Sequence, residues 1–260
     1  MANTFNSGEA EQRWFVPLAG YTGMRMFGFP HAGAGCAQLA GFAQALRQHG
    51  IAVWSANLPG RQARLDEPAR TDFATLADEL TDALAAHLDD QPYLLFGYCG
   101  GALLAYGVLR RLRDRSLPLP ARLVVASYDA PDIARRPYSL ARLPTAALWS
   151  YLLETGGVPP ELGASTKLRD LAEPAIRADF TMLGGYRHEP GLPLPVPITV
   201  CYGGRDEETR RGALLGWRRH STHPIDLRAV DGGHWLVEDA CAELARTVVS
   251  AAVPEPADLA

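Results

Sequence analysis

The sequence predicts an α/β fold, a mostly parallel sheet with helices on both faces and a helical lid insertion. Three observations predict it. Short apolar runs alternate with amphipathic stretches along most of the 260 residues. The alternation breaks only over about 135–190, where helical patterns run without a convincing strand. The length and the 47% hydrophobic content are enough to bury one sizeable core, so the chain reads as a single domain over 1–260.

The elements follow in order. Residues 24–29 read as a strand that ends in the loop Pro30-His31-Ala32-Gly33-Ala34-Gly35, and a helix is expected over 37–48. A second strand, 53–56, runs into the turn Leu58-Pro59-Gly60-Arg61. Residues 72–88 carry Phe73, Leu76, Leu80, Leu84 and Leu88 at helical spacing. Strand 93–96 then leads into Gly97-Tyr98-Cys99-Gly100-Gly101, and a helix over 102–112 follows. Runs at 123–127, 198–202 and 227–230 complete the strands. Within 135–190 the helical patterns lie at 145–154 and 167–183. The tail, about 254–260, is expected to be disordered. There is no internal repeat.

Composition excludes several classes. The net charge is −4, and Lys167 is the only lysine, so nucleic acid is not an expected partner. No apolar run reaches the ~18 residues of a membrane span, and residues 1–11 are polar and lack the order of a signal peptide. No membrane partner and a cytoplasmic location are therefore expected. Cys36, Cys99, Cys201 and Cys241 are widely spaced and read as free thiols, and none of the seven histidines falls in an HExxH spacing. A metal site is not expected from these spacings.

In a parallel sheet, ligands sit beyond the carboxyl ends of the strands, so the loops after Phe29, Phe96, Ser127 and Tyr202 should share one rim. Gly97-Tyr98-Cys99-Gly100-Gly101 fits the nucleophile elbow, a strand-to-helix turn so tight that side chains two residues either side of the nucleophile would collide. Cys99 is therefore the candidate nucleophile, and the motif in this context points to the α/β-hydrolase fold. The alternative is a structural thiol in a glycine-rich turn.

His234, in Asp231-Gly232-Gly233-His234-Trp235, follows the last strand and can take the thiol proton and return it. The acid is Asp206, after strand 198–202 and a Gly-Gly turn, or alternatively Asp129, after strand 123–127. Two backbone N–H groups should form the oxyanion hole: Gly100, and Ala32 or Gly33 from the loop after Phe29. His31 should prop that loop.

These motifs together resemble the type II thioesterases of nonribosomal-peptide and polyketide assembly lines. The resemblance rests on Phe29-Pro30-His31-Ala32-Gly33, Leu58-Pro59-Gly60-Arg61, Leu95-Phe96-Gly97, Arg177-Ala178-Asp179-Phe180 and Gly232-Gly233-His234. It implies a substrate acyl or aminoacyl group held as a thioester on the phosphopantetheine arm of an acyl or peptidyl carrier protein, with no metal and no bound cofactor in the enzyme itself. It also implies antibiotic-type biosynthesis, and a lid that shapes an acyl pocket from candidates Trp149, Leu152, Leu153, Phe180, Leu183 and Tyr186. Two departures stand out. The family usually has Gly-His-Ser-Met-Gly at the elbow, whereas here a cysteine replaces the serine and Tyr98 replaces the histidine.

The cysteine widens the chemistry. A helix N-terminus or a histidine partner favours the thiolate. Its attack on a thioester exchanges one thioester for another, so the acyl group stays activated. Hydrolysis, transfer between carriers, and Dieckmann-type ring closure are all open, as is a catalytically idle carrier-binding protein. Carrier proteins tend to be acidic, so Arg61, Arg64, Arg135 and Arg136 are expected at a basic rim. The chain is expected to act as a monomer.

Overall fold

The structure is a computed structural model describing residues 13–19, 22–134 and 137–252. The expected tail and the candidates Arg135 and Arg136 lie outside the described residues. Seven strands form one sheet: β1 (Phe15–Ala19), β2 (Met24–Phe29), β3 (Ile51–Ala56), β4 (Tyr93–Tyr98), β5 (Arg122–Ala126), β6 (Ile198–Gly203) and β7 (Asp226–Val230). Their order is β1-β3-β2-β4-β5-β6-β7. All pairings are parallel except β1 with β3.

The antiparallel edge strand β1 is the element the sequence pattern missed. It carries Pro17, whose missing N–H removes a ladder donor, and its register shifts between Pro17 and Ala19. Such a strand is tolerated only at an edge.

The helices are α1 (Ala40–Arg47), α2 (Phe73–Ala85), α3 (Gly100–Asp114), α4 (Thr145–Glu154), α5 (Pro160–Ala164), α6 (Thr166–Gly185) and α7 (Cys241–Ala252). α1 is shorter than the expected 37–48 because Cys36–Leu39 forms a 3-10 turn. α2 starts where it does because the Asp72 carboxylate accepts the Thr75 N–H at 2.8 Å, a side-chain N-cap. Short helices at Arg211–Leu214 and Leu236–Asp239 follow β6 and β7.

Strand alternation sorts the core onto the two faces of the sheet. On β4, Tyr93 and Leu95 join α2 and α3 on one face. Leu94, Phe96 and Tyr98 face α1 and α7 on the other. Both sets are fully buried, so the central strand reads as a nearly continuous apolar run. A third, separate cluster lies within the segment between β5 and β6. There Leu148, Trp149 and Leu152 of α4 pack with Val158 and with Ile176 and Phe180 of α6.

Candidate active site

The carboxyl ends of β2, β4, β5, β6 and β7 deliver the site. The chain reverses direction across the sheet between β2 and β4, the kind of switch point where α/β sheets bind ligands. Cys99 caps α3 at φ 48° and ψ −125°, a left-handed conformation that a non-glycine residue adopts only under constraint. The constraint is the elbow. A Cβ on Gly97 would lie 2.4 Å from Ala102 Cα, and one on Gly101 would lie 2.2 Å from the Phe29 carbonyl oxygen. The Cys99 N–H donates to the Ala126 carbonyl at 2.9 Å, which ties the turn to β5.

His234 Nδ1 lies 3.0 Å from Asp206 Oδ2, and both side chains are largely buried. Burial opposes the imidazolium, but hydrogen bonds to Asp206 and to Cys99 outweigh it and raise His234 to about 11. Asp206 is held at about 2: its burial is overcome by the bonds from His234 and Thr209. Its Oδ1 also accepts the Glu208 N–H at 2.8 Å and the Thr209 N–H at 3.1 Å, so the carboxylate is fixed from its own loop. Asp129 is buried and lines the cavity at Cys99, yet its carboxylate faces Arg210, 3.8 Å away. The residue bonded to the imidazole is Asp206.

The loop after β2 is a tight turn. Ala34 N–H donates to the His31 carbonyl at 3.1 Å, and Gly33 sits at φ 82°, the third-position geometry of a type II turn. Gly33 N–H is already taken by the Asp179 carboxylate at 2.7 Å, which leaves Ala32 as the loop's oxyanion candidate. Ala32 N lies 3.6 Å from where a Cβ on Gly100 would sit, so the two candidate donors are adjacent. Gly100 opens α3, where N–H groups have no intrahelical partner. His31 is buried with its ring edge-on to Tyr98 and Trp235. Desolvation, then the charge of His234, lower it to about 4, so it is a neutral prop.

Several expected residues fall elsewhere. Trp149 and Phe180 belong to the separate core of the segment between β5 and β6, with the Trp149 indole donating to Glu173 at 2.7 Å, and Leu152 packs beside them. Leu153 is exposed. Tyr186 packs on Phe73 at 4.7 Å between ring centroids. Of the pocket candidates, Leu183 reaches the site, its Cδ1 2.7 Å from where a Gly100 Cβ would be. The cavity at Cys99 and His234 is about 120 Å³ and is lined otherwise by Ser127, Tyr128, Asp129, Ala134, Glu208 and Thr209. Arg61 and Arg64 form no basic rim. Arg61 is buried against Asp179 of α6 and Arg64 against Glu67 of its own loop, because each guanidinium satisfies a carboxylate and a backbone carbonyl, Ala34 for Arg61 and Asn57 for Arg64.

Three residues of consequence had no local signal in the sequence. Ser127, at φ 53°, donates its hydroxyl to the His234 carbonyl at 2.8 Å and so fixes the histidine loop. The Tyr98 hydroxyl donates to Glu238 at 2.6 Å. The Trp235 indole donates to the Thr155 carbonyl, joining that loop to the end of α4. Among the described residues, no group of three or more His, Cys, Asp or Glu is placed to hold a metal ion, and no helix is long and apolar enough to cross a membrane.

The arrangement is a cysteine in a strand-to-helix elbow, an acid-bonded imidazole and two neighbouring backbone segments that carry the candidate donors. Residues 24–251 match the family model described as "Thioesterase domain". The chain belongs to the thioesterase domain family. The resemblance drawn from its motifs therefore holds, as does the α/β-hydrolase architecture. Among relatives, this thioesterase domain is 31% identical over 242 residues to the AMB antimetabolite synthetase AmbE of Pseudomonas aeruginosa. That match covers 91% of this chain but spans only 11% of AmbE's length. It is 28% identical over 226 residues to the thioesterase PikA5 of Streptomyces venezuelae, covering 86% of this chain and 79% of PikA5. In three dimensions it resembles the type II thioesterase BorB from the borrelidin biosynthetic cluster, with a TM-score of 0.83 and 27% identity. That likeness covers 92% of this chain and 98% of BorB.

Proposed function

We propose that this thioesterase takes an acyl or aminoacyl group from the phosphopantetheine thioester of an acyl or peptidyl carrier protein onto Cys99, then passes it to water or to a second thiol. The observation that carries this reading is His234, bonded through Nδ1 to Asp206 and lining one cavity with Cys99 at the elbow. The relatives' names, an antimetabolite synthetase and a type II thioesterase of the borrelidin biosynthetic cluster, support a place in assembly-line biosynthesis.

His234, raised far above its ordinary value, already holds the proton that the Cys99 thiol gives up, and Sγ forms a bond to the thioester carbon. The carbonyl oxygen becomes an oxyanion facing the N–H groups of Ala32 and Gly100. The intermediate collapses, the carrier's C–S bond breaks, and the pantetheine sulfur leaves with the proton from His234. Asp206 stabilises the imidazolium throughout. Once Cys99 is acylated, the sulfur no longer favours the imidazolium, so His234 can accept the proton of the next nucleophile. No cofactor enters any step.

The sulfur supports transfer alongside hydrolysis, since an acyl-cysteine can exchange with another thiol without an energetic climb. A cavity of about 120 Å³ supports a small acyl group, because pockets for larger ligands run to roughly 300–1,000 Å³. This weighs against ring closure on a long chain. The test uses an acylated carrier protein with and without a second, unacylated carrier. Free acid alone supports hydrolysis, and acyl loading of the second carrier supports transfer. Neither product forming would remove the proposal.

A further inference from the structure

One face of the lid helix α6 touches both halves of the candidate oxyanion hole. Ile176, Asp179 and Leu183 follow the three-then-four spacing of a single helix face. Ile176 Cγ1 is 2.7 Å from where a Cβ on Gly33 would lie, and Leu183 Cδ1 is at the same distance from the corresponding point on Gly100. Between them, Asp179 Oδ2 accepts the Gly33 N–H at 2.7 Å.

Asp179 is not a general lid carboxylate. It is buried, and its two oxygens are matched bidentately by Arg61, Nη1 at 2.6 Å and Nη2 at 2.8 Å. Arg61 Nη1 also donates to the Ala34 carbonyl at 3.2 Å. The pair therefore grips the Gly33-Ala34 segment through a donor and an acceptor of the same turn. A paired, fork-shaped ion contact fixes orientation as well as position. Breaking one partner would leave a buried charge, which makes the arrangement intolerant of half measures.

We propose that Asp179, held by Arg61, is a positioning residue for the oxyanion hole, and that the lid helix is the template on which the hole is assembled. With Gly33 N–H bound, the turn is locked and Ala32 N–H is turned toward Cys99. Docking of α6 and formation of the hole are then one event. This rests on the proposed role of Ala32 and Gly100, and its test needs no carrier-bound substrate.

A small aliphatic aldehyde, butyraldehyde, serves as the probe. Cys99 Sγ adds to its carbonyl carbon, the C=O π bond breaks, and the oxygen, which takes the thiol proton by way of His234, sits where the oxyanion would. Iodoacetamide alkylates the same sulfur by displacing iodide and needs no such hole. Mass spectrometry of the Cys99 peptide measures the alkylation rate and its protection by aldehyde. Because Asp179→Ala strands the Arg61 charge and can fail to fold, the deciding variant is Arg61→Met/Asp179→Leu, which removes both charges with side chains of similar bulk. In both variants that fold, alkylation without aldehyde should stay within about twofold of wild type, while protection weakens at least about tenfold. Arg61→Met/Asp179→Asn, which keeps an acceptor for Gly33 N–H and strands no charge, should recover most of the protection. Undiminished protection in the double variant, no protection in the wild type, or alkylation lost in parallel with protection would overturn the proposal. Turnover of an acylated carrier by the wild type reports separately on the proposed function.

Discussion

Asp206 Oδ2 sits 3.0 Å from Nδ1 of His234, while its other oxygen is held by two backbone N–H groups of its own loop. The imidazole is thus oriented by a carboxylate that cannot turn away. Because the folded His234 lies above its ordinary range, its charged form supports the fold fully below pH ~6.5. That support is lost as pH rises through about 11. Removing the acid removes the first favourable cause. In Asp206→Asn, the His234 ring should titrate well below the wild type, read from its NMR shift. Acyl transfer should drop by up to about 10⁴-fold.

His31 makes the opposite prediction. Its buried ring is lowered to about 4, so the folded state resists protonation that the unfolded chain accepts. The stability it contributes is present above its ordinary value near 6.5 and is lost as pH falls through that value toward about 4. Denaturant melts of His31→Phe should show a smaller loss of stability between pH 7 and pH 4 than the wild type.

The elbow predicts a steric failure. In Gly101→Ala the new Cβ would meet the Phe29 carbonyl oxygen, an atom fixed in β2. Overpacking against backbone at a buried position costs roughly 1–3 kcal/mol or more. The variant should melt lower or fail to accumulate. Gly185→Ala, on a helix with open space around that position, should melt like the wild type.

Much of this was legible because it is local. The elbow can be read from five residues, since glycine at both flanks has a steric cause that the close approaches at Gly97 and Gly101 bear out. The strand ends followed from runs such as 198–202, and the rim from chain order. What was not legible is pairing at long range. Nothing around Arg61 says that it is buried against Asp179, 118 residues away, so a loop arginine read as a solvated rim charge. Trp149 and Phe180 have the same helical spacing whether they line a pocket or fill the lid's core, and only tertiary packing separates the two. Asp129 and Asp206 both follow strands, and the difference lies in which carboxylate the β7 loop meets.

The nucleophile's identity sets the partition of the acyl group. In Cys99→Ser the acyl-enzyme becomes an oxygen ester, from which transfer to a thiol runs uphill while hydrolysis stays favourable. With an acylated carrier and a second carrier present, the ratio of transferred to hydrolysed product should fall by more than about tenfold relative to wild type.

The most direct test is the intact mass of the protein after brief exposure to an acylated carrier protein. The account predicts a mass increase equal to the acyl group, located on the Cys99 peptide, labile to hydroxylamine, and absent in Cys99→Ala together with turnover. No adduct on Cys99, with undiminished turnover in Cys99→Ala, would contradict it.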